Sequence, residues 1–209
     1  MIVVGVRPAR QSRVTVCMDT GEEFIMDKKT WEESPFRVDS SLSTEQLEAL
    51  LKESDHRRAQ SRAVYLLSKR DFSRRELEQK LCREKGRYVA EKKGLARETA
   101  AYMEELGYVD DAAYAARLAE RYSTERLYPK RRILQKLMEK GIARATAEEA
   151  VAAVQTEDAD LALEFLIRKR YTVPDEQREA DRIAAALARY GFGGEDIRRA
   201  MRRWMEENV

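Results

Sequence analysis

The sequence predicts a mainly α-helical fold, an elongated tandem array of three three-helix repeats preceded by a small β-hairpin segment. Two observations carry this. A pattern recurs three times: an i, i+4 apolar pair on an Arg/Lys-rich stretch, then Gly followed by an apolar residue, then a short helix opening with acids. The pairs are Leu77 and Leu81, Ile133 and Leu137, Ile183 and Leu187; the Gly steps are Gly94-Leu95, Gly141-Ile142 and Gly191-Phe192. Leu81 to Leu137 is 56 residues and Leu137 to Leu187 is 50, the period of a repeated supersecondary unit. Charged residues make up 37% and hydrophobic residues 43%, too apolar for a disordered chain and typical of long solvated helices. The implied segments are 1–43, β-rich; 44–109, a lead-in helix and repeat one; 110–155, repeat two; and 156–209, repeat three.

In the first segment Val14, Val16 and Met18 alternate with Arg13, Thr15 and Cys17, and Asp19-Thr20-Gly21-Glu22 makes a turn before Phe24-Ile25-Met26. That is a β-hairpin, to which Ile2–Val6 can add a third strand. Ser34 to Ser43 reads as a connector, and Ser43 or Thr44 caps a helix carrying Leu47, Leu50 and Leu51. In repeat one a helix runs to about Arg70. Ser73-Arg74-Arg75-Glu76 is a capping box that starts the next, which ends near Gly86 or continues to Gly94. A third covers about Arg97 to Leu106 and stops at Gly107, a C-terminal cap.

Repeat two begins at Asp110, an N-cap for the helix carrying Tyr114, Leu118 and Tyr122. Tyr128-Pro129 separates it from the middle helix, with Pro in the first helical position. Gly141 ends that helix, and Thr146-Ala147-Glu148-Glu149 is a second capping box, giving an acidic-headed third helix to about Val154. Repeat three copies the plan over roughly 157–171, 175–190 and 195–206, with breaks at Thr172-Val173-Pro174 and Gly191–Gly194.

Little in the sequence supports catalysis. His56 is the single histidine and lies in the polar stretch Asp55-His56-Arg57-Arg58, where a solvated role outweighs general-base chemistry. Cys17 and Cys82 form no CxxC and no metal spacing, and Cys82 beside Leu81 reads as a small packing residue. No phosphate-binding Gly-rich loop is present, and the adjacent Asp110 and Asp111 are better explained by helix capping than by metal. No catalytic residue, metal or cofactor is assigned. A reducing cytoplasm fits the two cysteines, and neither a signal peptide nor a membrane-spanning stretch is read in the chain.

The charges are segregated. The net of +2 conceals +8 over residues 57–93 and +5 over 130–144, alternating with acidic stretches at 94–128 and 145–181. Arg outnumbers Lys, 28 to 12, which suits bidentate contact with carboxylate or phosphate, with genome base composition an explanation of equal weight. The candidate partner- or DNA-binding residues are the basic patches on the middle helices, Arg74, Arg75, Lys80 and Arg83, then Lys130, Arg131, Arg132 and Lys136. Several cations within a few turns address a phosphate backbone or an acidic protein groove, although a charged helix face is most often only solvated. Tyr114, Tyr122 and Tyr128 can stack on a partner but at this spacing fit a core. Met201 and Trp204 fit the capped end of the array.

Gly107-Tyr108-Val109-Asp110-Asp111 with Tyr114-Ala115, then Arg132-Ile133-Leu134-Gln135-Lys136-Leu137 running into Lys140-Gly141-Ile142, resembles the core pattern of the RecX family, regulators of the RecA recombinase. Ser73-Arg74-Arg75-Glu76-Leu77-Glu78-Gln79-Lys80-Leu81 resembles that family's first repeat. The likeness covers about residues 57–206. It departs at Tyr128-Pro129, where members commonly carry Gly, and in the longer Gly86–Gly94 stretch. The resemblance implies three tandem three-helix repeats without enzymatic activity. It also implies binding along the groove of a RecA filament on single-stranded DNA, usually damping ATP hydrolysis, strand exchange and filament growth. A direct nucleic-acid-binding repeat protein and a plain interaction scaffold are the other readings. A monomer is the default for a repeat array.

Overall fold

The structure, a computed structural model, describes residues 1–82 and 91–207. It is mainly helical with one small sheet, and it divides into two compact units: residues 1–71 with 77–108, and residues 72–76 with 109–209.

In the first unit, β1 (Val3–Ala9), β2 (Arg13–Met18) and β3 (Glu23–Asp27) form an antiparallel sheet in the order β1-β2-β3. The expected hairpin is thus a three-stranded meander. The β1–β2 turn places Gln11 and Ser12 at φ 59° and 54°, and the β2–β3 turn places Gly21 at φ 84°. Period-two alternation sends Val14, Val16 and Met18 to one face, where they join Val3, Met26, Trp31, Leu42 and Leu47 in a core. A short α1 (Lys28–Glu33), not anticipated from the sequence, carries Trp31 into that core; the Asp27 carboxylate accepts from Thr30 N at 3.1 Å and caps it. Six residues are too few to show a helical period, so only the cap and the buried Trp31 could have signalled it.

The lead-in segment is one helix, α2 (Thr44–Leu67). Ser43 is its cap: Gln46 N donates to Ser43 Oγ at 3.2 Å and Ser43 N to Gln46 Oε1 at 2.9 Å, a reciprocal capping box. Ser54 Oγ accepts from Asp27 N at 2.7 Å and ties α2 to the end of β3. Next come α3 (Arg74–Cys82) and α4 (Glu91–Glu105). Because α4 starts before the expected Arg97, Gly94 lies inside a helix and is not the helix-ending glycine that the repeat suggested. Whether α3 ends near Gly86 lies outside the described residues. Gly107 ends α4 at φ 75°, with Tyr108 N donating to Met103 O.

The second unit holds α5 (Asp111–Thr124), α6 (Lys130–Glu139) and α7 (Arg144–Ala152), then α8 (Asp158–Arg168), α9 (Gln177–Tyr190) and α10 (Gly194–Glu207). Each trio closes over its own core. Tyr114, Leu118, Ile133, Leu137, Ile142 and Val151 are among the residues of one, and Leu161, Leu166, Ile183, Leu187, Phe192 and Trp204 of the other. Tyr114 is thus a core residue, with Tyr122 and Tyr128 packed against the same cluster. Gly141 and Gly191 end α6 and α9 at φ 82° and 117°, and Ile142 N and Phe192 N each turn back to a leucine carbonyl one helical turn earlier. Two details differ from expectation. Pro129 is the N-cap of α6 rather than its first residue. The helix after Gly141 begins at Arg144, capped by Ala143 without a side-chain bond, so Thr146 and Glu149 form no capping box and the first turn carries no acid.

Candidate functional site

The basic middle helices have to be judged by what already occupies their cations. Ser73 starts α3 as predicted: Glu76 N donates to Ser73 Oγ at 3.1 Å. The Ser73 hydroxyl also donates onward to Lys140 O at the end of α6. Arg74 N donates to Asp111 Oδ1 at 2.9 Å, and the Glu76 carboxylate takes Lys140 Nζ at 3.0 Å and the Tyr114 hydroxyl at 3.3 Å. The head of α3, which belongs to the second unit, is therefore bolted to the tail of α6 and the start of α5.

The head of α6 is held the same way one repeat later. Lys130 N donates to Asp158 Oδ1 at 3.0 Å, at the start of α8. Arg132 Nη1 donates to Tyr190 O at 2.7 Å, at the end of α9, while its guanidinium lies 4.2 Å from the Tyr128 ring centroid and 4.3 Å from that of Tyr190. Glu76 and Arg132 each directly precede the first residue of the apolar pair, and Lys140 and Tyr190 each precede the terminal glycine. One joint thus uses an ion pair where the other uses a cation against two rings. Both set the positive end of one helix dipole against the negative end of the next.

The joints explain the glycines. A Cβ on Gly141 would sit 2.6 Å from Arg75 Cβ, and one on Gly191 would sit 3.4 Å from Pro129 Cγ. Burial pushes the Asp158 carboxyl above its ordinary range, opposed by the Lys130 N–H that favours the anion. Burial likewise raises the Tyr190 phenol. Since Asp158 supplies the cap that Pro129 cannot, Asp158→Ala is expected to cost about 1 kcal/mol, read as a lower midpoint of thermal unfolding.

The eight candidates thus fall into different situations. Arg74 is half-buried, and Arg75 is exposed with its stem over Gly141. Lys80 and Arg131 are exposed, and Lys130 is half-buried beside Asp158. Lys136 pairs with Glu139 at 2.6 Å, and that bond raises the Lys136 pKa and lowers that of Glu139. Arg132 is engaged in the joint. Arg83 lies outside the described residues. One placement repeats, an exposed arginine second in α3 and in α6: Arg75 and Arg131.

Sequence reasoning missed Asp158, Glu76, Lys140 and Tyr190 as joint residues, because each acts on a helix far away in the chain. A cue was present in the matched positions before Leu77 and Ile133. Among the described residues no group of three or more His, Cys, Asp or Glu side chains is placed to hold a metal ion, and no described helix is long and apolar enough to cross a membrane.

Comparison with known proteins adds four findings. Residues 110–151 match the family described as RecX, second three-helix domain. A protein named regulatory protein RecX from Clostridioides difficile (strain 630) is 25% identical over 165 residues, which span 78% of this chain and 75% of that one. A crystal structure of regulatory protein RecX shares the fold with a TM-score of 0.70 at 18% identity, covering 97% of this chain and 98% of that chain. RecX from Lactobacillus salivarius shares it at 0.62 and 19% identity, covering 74% and 99%.

Proposed function

The chain belongs to the RecX family, and from that premise we propose that it is a non-enzymatic regulator that binds the RecA filament on single-stranded DNA, within its groove, and inhibits ATP hydrolysis, strand exchange and filament growth. RecA is the partner that the family resemblance implies. The observation that supports a filament groove is the head-to-tail joint, which recurs at the heads of α3 and α6 and leaves Arg75 and Arg131 exposed at matching positions of the sequence pattern. Repeated contacts of this kind suit a repeating partner, because each weak contact gains from the tethering of the others. Lys80 adds a further exposed cation on α3. Arg132 is left out of the contact surface, since the joint uses it.

The test titrates the protein into cognate RecA hydrolysing ATP on single-stranded DNA, beside a DNA-only binding control. Inhibition is expected at protein levels well below those of RecA. Lys80→Glu with Arg131→Glu is expected to raise the inhibitory midpoint by about tenfold or more, since reversing an interfacial charge places like charges together at a cost of a few kcal/mol. Both residues are exposed, so the double variant keeps the parent unfolding midpoint. A folded double variant that inhibits like the parent sinks the assignment of these cations. Strong, salt-steep binding to bare DNA with hydrolysis unchanged favours direct nucleic-acid binding instead.

A further inference from the structure

Arg58, Arg62, Tyr65 and Lys69 follow one another at intervals of four, three and four residues along α2 and just past its end, so they lie along one helical face. All four are exposed. Tyr65 stands 53% exposed, with the Arg62 guanidinium and the Lys69 ammonium each 5.2 Å from its ring centroid. Arg58 pairs with Asp55 at 3.5 Å, a solvent-exposed pair of the kind that contributes little and exchanges readily.

A tyrosine half in solvent adds little to the core, and the two cations beside its ring draw in negative charge. An acidic protein surface would answer the cations but leave the ring face unused, and a duplex keeps its bases stacked on one another. A single strand answers both, because every base has a π-face to stack on the ring and a phosphate on either side. We propose that this face of α2 binds single-stranded nucleic acid, with Tyr65 stacking on a base and Arg58, Arg62 and Lys69 contacting the flanking phosphates. The site deepens the filament reading by naming a contact for the strand itself, and its test uses no RecA, so the two fail separately.

The full chain is titrated into fluorescein-labelled oligothymidylate at low salt, followed by anisotropy, with a duplex of equal length in parallel. Tyr65→Ala is expected to weaken strand binding about five- to hundredfold, the range that loss of one base–aromatic stack gives, and to change duplex binding less than twofold. Tyr65→Trp restores the affinity, and its added fluorescence is quenched on binding. Lys69→Ala flattens the slope of log affinity against log salt by about 0.7, one phosphate contact on a single strand. The proposal is overturned if the parent protein does not bind the oligonucleotide, if folded Tyr65→Ala binds it like the parent, or if strand and duplex binding fall equally.

Discussion

Gly141→Ala is expected to lower the unfolding free energy of the second unit by about 2–4 kcal/mol, whereas Gly94→Ala is expected to raise that of the first by about 0.5–1 kcal/mol. The two glycines occupy matching places in the sequence pattern and opposite places in the structure. Gly141 sits at φ 82°, where any L side chain is strained by about 1–2 kcal/mol. A Cβ there also falls 2.6 Å from Arg75 Cβ, a contact with the base of a side chain, so the head of α3 has to move; overpacking of this kind costs about 1–3 kcal/mol. Gly94 lies inside α4 with nothing within 4 Å of a Cβ, so alanine removes only the entropy penalty of a helical glycine. The chain has two tryptophans, Trp31 in the first unit and Trp204 in the second, both buried. Urea titration of each glycine variant in Trp31→Phe and Trp204→Phe backgrounds therefore reads the units separately. Equal destabilisation by the two substitutions would refute the distinction.

Arg132→Ala is expected to cost about 2–3 kcal/mol of stability while the neighbouring Arg131→Ala stays within about 0.5 kcal/mol. The Arg132 guanidinium contacts the faces of Tyr128 and Tyr190 and donates to Tyr190 O at 2.7 Å. Two partly desolvated cation–π contacts of about 0.5–1 kcal/mol each combine with a charge-assisted hydrogen bond of about 1.5–3 kcal/mol, with the half-exposure of the site lowering the total. Arg132→Lys recovers only part of the loss, because a compact ammonium lacks the planar guanidinium that contacts ring faces while its fork donates to a carbonyl. Thermal unfolding followed by Trp204 fluorescence checks the series. If Arg131→Ala proves the more damaging, the assignment of Arg132 to the joint is wrong. The comparison also governs how inhibition data are read, since a charge reversal at Arg132 would loosen the fold before it tested a partner contact.

How much was legible depended on how local each signal is. Ser73, Asp110, Gly107, Gly141 and Gly191 all do in the structure what their residue types and flanking periodicity predict, because a cap acts within a turn of its own helix. The apolar pairs from Leu77 to Leu187 are buried as read. The failures came where two local signals competed or none existed. Thr146 with Glu149 has the letters of a capping box, yet the helix begins two residues earlier and buries Ala147, Ala150 and Val151, so packing of the apolar face outweighed the cap. Leu127 adopts φ 54° and is buried in the same core cluster as Leu161 and Trp204, that of repeat three. That carries the chain from α5 into the next repeat without the glycine that such a backbone favours.

The candidate surface divides along the same line. By itself the sequence determined the helical class, the repeat, the ends of most helices and the alternation of charge, since these follow from periodicity and from interactions within a few residues. Only the tertiary structure decided which groups are committed: Arg132 to Tyr190 at the end of α9 and the head of α6 to Asp158, with Arg131 left in solvent. Adjacent arginines look alike in a sequence, and what separates them is the groups that the next repeat brings within a few ångströms.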